Sequence, residues 1–100
     1  MKRAVEIRIT IPLGKVFELE AYLLKERDDK QQIVLIQKSG VEINKVSSDK
    51  TEKIKAKFYT VILNTNPETA REFIRLLFVN GIVPEGREWM VYGPRQVQLL

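Results

Sequence analysis

Between Val5 and Ile11 the apolar residues Val5, Ile7, Ile9 and Ile11 take every second position, and Glu6, Arg8 and Thr10 fill the gaps. Period two is the pleat of a β-strand with one dry face and one wet face. A longer run from Lys53 to Asn64 repeats it, setting Ile54, Ala56, Phe58, Thr60 and Ile62 against Lys53, Lys55, Lys57, Tyr59, Val61 and Leu63. Two such runs require a sheet that is covered on one side.

The intervening segments supply the cover and the remaining strands. Pro12 and Gly14 end the first strand, and Lys15 to about Arg27 reads as helix. Its apolar residues Val16, Phe17, Leu19, Ala21, Leu23 and Leu24 form a broad arc with Glu20 inside it. That arc is wider than one sheet needs, so part of the helix is expected to meet another subunit. Asp28-Asp29-Lys30 reads as a polar exit loop. Gln32 to about Val46 is rich in Ile and Val and reads as strand, interrupted at Ser39-Gly40. The interruption is either a hairpin turn or a bulge in one long strand. The bulge is preferred, because a turn would leave two very short strands. Ser47 to Glu52 is a polar turn.

The second helix has the clearest limits. Asn66 is a good N-cap, Pro67 suits the first helical position, and Glu68 complements the positive end of the dipole. Ala70, Phe73, Ile74 and Leu77 form its core stripe. Asn80-Gly81 is a left-handed stop, with Ile82 placed to fold back on the last turn. Pro84-Glu85-Gly86 is a loop and Glu88 to Tyr92 a fourth strand. Gly93-Pro94 is read as a turn, with Val97 to Leu100 as a short edge strand.

The order β-α-β-β-α-β predicts an α+β fold. With right-handed crossovers it closes as a ferredoxin-like sandwich, a four-stranded antiparallel sheet of order 4-1-3-2 with two helices on one face. One hundred residues suit a single domain, 1–100. The alternation assigns Val5, Ile7, Ile9, Ile54, Ala56, Phe58 and Ile62 to the side under the helices. Glu6, Arg8, Thr10, Lys53, Lys55, Lys57, Tyr59, Val61 and Leu63 go to the open side.

Composition removes whole classes of chemistry. There is no cysteine and no histidine, so there is no disulfide framework, no thiolate nucleophile, and neither the usual general base nor the commonest metal ligand. Glu26, Asp28 and Asp29 are read as solvated rather than metal-binding. Gly14-Lys15 lacks the rest of a phosphate-binding loop, and the other glycines make no dinucleotide fingerprint. The chain is expected not to be an enzyme, with no cofactor and no small-molecule substrate. No apolar run approaches a membrane span and the start carries no signal-peptide core, so a cytoplasmic location is expected. Abundant Lys and Glu without Cys or His suit a thermophile, a reading tempered by four Asn and five Gln.

Net charge is +4, and most of the excess is central. Residues 31–60 carry six lysines against three acids, a balance of +3, and no arginine. Lys53, Lys55 and Lys57 point one way, with Tyr59 next along; Arg8 is assigned to the same side, and Lys45 adds charge near the hairpin end. Ammonium groups beside a ring suit a nucleic acid: lysines attract the backbone and the ring stacks a base. RNA-recognition domains carry a Gly- and aromatic-rich run on the third strand and an aromatic on the first. Here the third strand reads Lys55-Ala56-Lys57-Phe58-Tyr59-Thr60-Val61-Ile62 and the first has no aromatic, so the motif is missing. Contact with DNA or RNA is therefore expected to fall on phosphate.

Past Tyr59 the same phase turns apolar at Val61 and Leu63. Those two, with Leu76 and Val79 on the second helix, are the expected interface residues of a homodimer. Of Trp89 and Tyr92, one is expected on the open side and the other in the core. The leading expectation is a small basic module that binds nucleic acid weakly, as a dimer. The alternative is a protein-interaction or regulatory subunit, including a viral or mobile-element inhibitor of a host enzyme.

Overall fold

The computed structural model describes residues 2–30 and 32–99. Strand β1 (Lys2–Pro12) runs into a 3₁₀ turn (Leu13–Lys15) and helix α1 (Val16–Lys30). Strands β2 (Ile33–Ser47) and β3 (Lys50–Leu63) follow, then helix α2 (Pro67–Val79) and strand β4 (Met90–Leu99). All strand pairs are antiparallel, in the order β2-β3-β1-β4, which is the expected order read from the other edge.

α2 begins and ends as its residues dictate. Asn66 accepts a hydrogen bond from the Thr69 amide at 2.8 Å, with Pro67 at the first helical position. Gly81 takes φ 68, and the Ile82 and Val83 amides return to the Leu77 carbonyl at 2.9 and 3.1 Å. Ile82 is buried there. α1 runs longer than expected: Asp28, Asp29 and Lys30 are helical rather than an exit loop. They contain neither Gly nor Pro, so nothing in them stops a helix.

Two irregularities fall elsewhere than the sequence suggests. Ser39-Gly40 is neither turn nor bulge; Ser39 pairs with Phe58 and Gly40 with Lys57, and the register of this ladder shifts instead between Ile33 and Leu35. Chain reversal happens at Ser48-Asp49, between the paired Ser47 and Lys50, with Ser48 at φ 53. In the fourth strand, Gly93-Pro94 does not turn the chain. It is a cis peptide inside β4, beside a shift of the β1–β4 register between Glu6 and Arg8. Gly93 has φ 109, and a Cβ there would lie 2.6 Å from the Glu6 carbonyl oxygen, so only glycine lets the two backbones approach this closely.

The core lies between the sheet and both helices. Val5, Ile7, Ile9 and Ile11 pack with Leu19 and Leu23 of α1 and with Ala70, Phe73 and Leu77 of α2. Tyr22 and Phe73 join the helices, ring centroids 5.5 Å apart. β3 contributes Tyr59, Val61 and Leu63, all with no exposed surface. Their partners on β1 are Ile9, Ile7 and Val5. The phase assigned to β3 is thus reversed: its odd-numbered residues lie on the helix side, and Ile54, Phe58 and Ile62 lie on the open side with Arg8. Four large side chains on β1 need large partners beside them, and only the odd phase offers three in succession.

Beyond Ala56, which pairs with Pro12, β1 gives out and the β2–β3 hairpin continues alone. Residues 42–55 thus form a two-stranded arm, and the molecule measures 49 × 23 × 22 Å.

Candidate nucleic-acid interface

Residues 53, 55, 57 and 59 project to one side of β3 because a strand alternates its side chains. That side changes character along its length. Near Leu63 it is roofed by helices; past Tyr59 it runs out from under α1 and becomes solvent. Lys53 and Lys55 are exposed and make no ion pair or hydrogen bond among the described residues, while Lys57 is half-buried. The Lys57 Nζ lies 3.8 Å from where a Gly40 side chain would begin, so the glycine leaves room for the ammonium. Lys55 and Lys57 border a shallow depression of about 440 Å³ with Leu13, Gly40 and Glu42, where the arm joins the body.

Other members of the expected site are placed elsewhere. Tyr59 is fully buried and offers no ring to a base. Its hydroxyl donates to Glu20 Oε1 at 3.1 Å, and Lys38 Nζ donates to the same oxygen at 2.7 Å. Lys38 pairs directly with Tyr59 across the strands, which brings its ammonium to the helix edge. The Lys38 ammonium is the chief reason that the Glu20 carboxyl is held below its ordinary range; burial opposes this, and the Tyr59 hydroxyl and Lys57 charge add to it. Burial, and then the bond to Glu20, push the Tyr59 hydroxyl well above the usual tyrosine range.

Arg8 lies on the opposite face of the sheet from the lysine row, opposite Thr60 on β3, and its Nε donates to Glu6 Oε1 at 2.7 Å. Lys45 also faces away from the row, opposite Glu52, and its Nζ stands 4.0 Å from Glu88 Oε1. That contact ties the arm to the segment entering β4 at the far edge of the sheet. Of the expected interface residues, Val61 and Leu63 are core; Leu76 is half-buried and Val79 is 64% exposed.

The side chains on the open side differ from those expected from the alternation of β3. Three rows cross the sheet there: Gln37–Thr60–Arg8–Tyr92, Ser39–Phe58–Thr10–Met90 and Leu35–Ile62–Glu6–Arg95. Tyr92 is 52% exposed, whereas Trp89 packs against the core. The signal was present in β3: bulky residues at 59, 61 and 63 are consecutive in one phase, while Thr60 breaks the other.

No family model matches this chain, and no curated protein matches it in sequence. Among the described residues, no three acidic side chains gather as a metal site, and no helix is long and apolar enough to cross a membrane.

Proposed function

We propose that this chain is a small, non-enzymatic, basic module that binds nucleic acid through phosphate, and that its fold is of the ferredoxin-like kind. The observation carrying the reading is the arm: Lys53 and Lys55 stand on one side of it, exposed and unpaired among the described residues, with Lys57 next in line. A two-stranded ribbon is narrow enough to enter a nucleic-acid groove, and lysines are point charges suited to a phosphate backbone. Tyr59 and Arg8 take no part in this surface. The test is the affinity for a short duplex as salt is raised. Three to four phosphate contacts give a slope of log K on log salt of roughly −2 to −4. Replacing the three lysines by glutamine flattens the slope; an unchanged slope ends the proposal.

A second reading is favoured by α1. Phe17 is 83% exposed, and Ala21 and Leu24 continue its stripe at helical spacing on the solvent side. Such a stripe suits a second copy or a larger protein. Light scattering at micromolar concentration tests the second copy: Phe17→Glu dissociates a dimer built on this stripe, and a monomeric wild type removes self-association through it.

A further inference from the structure

The open face of the sheet resembles neither a solvated surface nor a uniform apolar one. Away from the arm, where Lys45 and Glu52 share this side, it presents the exposed ring of Tyr92, the half-buried ring of Phe58, the guanidinium groups of Arg8 and Arg95, and the Glu6 carboxylate between them. Two depressions sit on it. One, about 430 Å³, is lined by Phe58 together with Gln37, Ser39 and Thr60. The other, about 270 Å³, is lined by Tyr92 with Arg8, Arg95, Glu6 and Gly93. Each therefore combines an aromatic ring with hydrogen-bonding groups.

The charge balance of the second depression points to an anion. Glu6 accepts from Arg8 Nε at 2.7 Å and from an Arg95 terminal nitrogen at 3.5 Å. Neither arginine makes another hydrogen bond among the described residues, although each carries five N–H donors. One carboxylate thus orients two guanidinium groups and leaves most of their donors free. The Gly93 backbone allows β4 to close on Glu6, which holds Arg95 and Tyr92 beside Arg8.

We infer that this face binds a single-stranded nucleic acid, with bases stacked on Phe58 and Tyr92 and a phosphate held by Arg8 and Arg95. The two rings stand two strands and one row apart, about 12 Å from strand spacing and rise. Bases in a duplex are stacked at about 3.4 Å per step, so only an unstacked strand can give a base to each ring. The inference takes its ligand class from the phosphate-docking proposal, but it rests on different residues on the other side of the sheet.

The experiment compares a fluorescently labelled 12-mer of deoxythymidine with a duplex of equal length, by anisotropy at low salt. The proteins are the wild type, Tyr92→Ala, Phe58→Leu and the lysine-to-glutamine triple variant at 53, 55 and 57, with far-UV circular dichroism confirming each fold. Wild type is expected to prefer the single strand. Tyr92→Ala, at an exposed position, is expected to weaken single-strand binding roughly 5- to 100-fold and leave duplex binding unchanged. Phe58→Leu is expected to act likewise, and the lysine variant to weaken both ligands. Equal affinity for both ligands, or single-strand affinity untouched by Tyr92→Ala, overturns the inference while leaving the arm's role standing. Ring effects without any effect of the lysines support the inference and end the arm's role. A dimer that Tyr92→Ala dissociates and the oligonucleotide does not compete with shows a second copy on this face, and also overturns it.

Discussion

Tyr59 on β3 and Glu20 on α1 are 39 residues apart in the chain and meet in a 3.1 Å hydrogen bond that also shares its acceptor with Lys38. The contact fixes the helix over the point where the sheet gives way to the arm. Tyr59→Phe keeps the buried ring and loses the hydroxyl, so a cost of about 1–2 kcal/mol is expected from urea unfolding. Tyr59→Ala opens a cavity as well and should cost about 3–5 kcal/mol. A surface role for the ring would make both changes nearly neutral.

The same contact gives stability a sign with pH. Because the folded Glu20 carboxyl is held below its ordinary value, its contribution is present above the unfolded pKa of about 4.3 and disappears as pH falls through the lower folded value. Wild type should therefore lose urea resistance as pH falls below that point, and Glu20→Gln should lose less. Parallel curves for the two proteins would show that Glu20 does not carry the effect.

Asn66 caps α2 with a single side-chain bond to the Thr69 amide. Asn66→Ala orphans that donor at a cost of about 1 kcal/mol, whereas Asn66→Asp, which keeps an acceptor oxygen, should be close to neutral. Thermal or urea unfolding of the pair separates loss of the cap from a general effect of substitution.

At Gly93 an added methyl would meet the Glu6 carbonyl oxygen at 2.6 Å, with φ at 109. The obstructing atom is backbone in the central β1 and cannot move aside cheaply. Gly93→Ala should cost about 2 kcal/mol or more, measured by urea unfolding, whereas Gly14→Ala, with nothing within 4 Å of its added carbon, should be tolerated. Equal effects at the two positions would mean that the β1–β4 register shift beside Gly93 relaxes freely.

Lys53 and Lys55 make no hydrogen bond or ion pair among the described residues, so their replacement by glutamine should change stability by less than about 0.5 kcal/mol. A fall in oligonucleotide affinity without a fall in the unfolding midpoint would assign the lysines to binding alone. A matching loss of stability would assign them to the fold.

Much of the architecture was readable in the sequence because local physics wrote it. Asn66-Pro67 and Asn80-Gly81 bracket α2 through backbone groups that need partners, and the alternation of β1 needs only a strand's geometry. The site was less readable. Arg8 and the lysine row follow the same alternation, yet they stand on opposite faces. Tyr92 and Phe58 acquire their setting only from strands that are distant in the chain.

The amino-acid order alone determined that β3 is a strand and that Lys53, Lys55 and Lys57 share a side with Tyr59, since the pleat repeats every two residues whatever surrounds it. Which side that is, and where along it the protein ends, was decided by tertiary structure. A two-residue period has two equivalent phases, and only pairing Ile9 with Tyr59 under α1 makes one of them the interior. Only the finite length of that helix then returns the lysines to water.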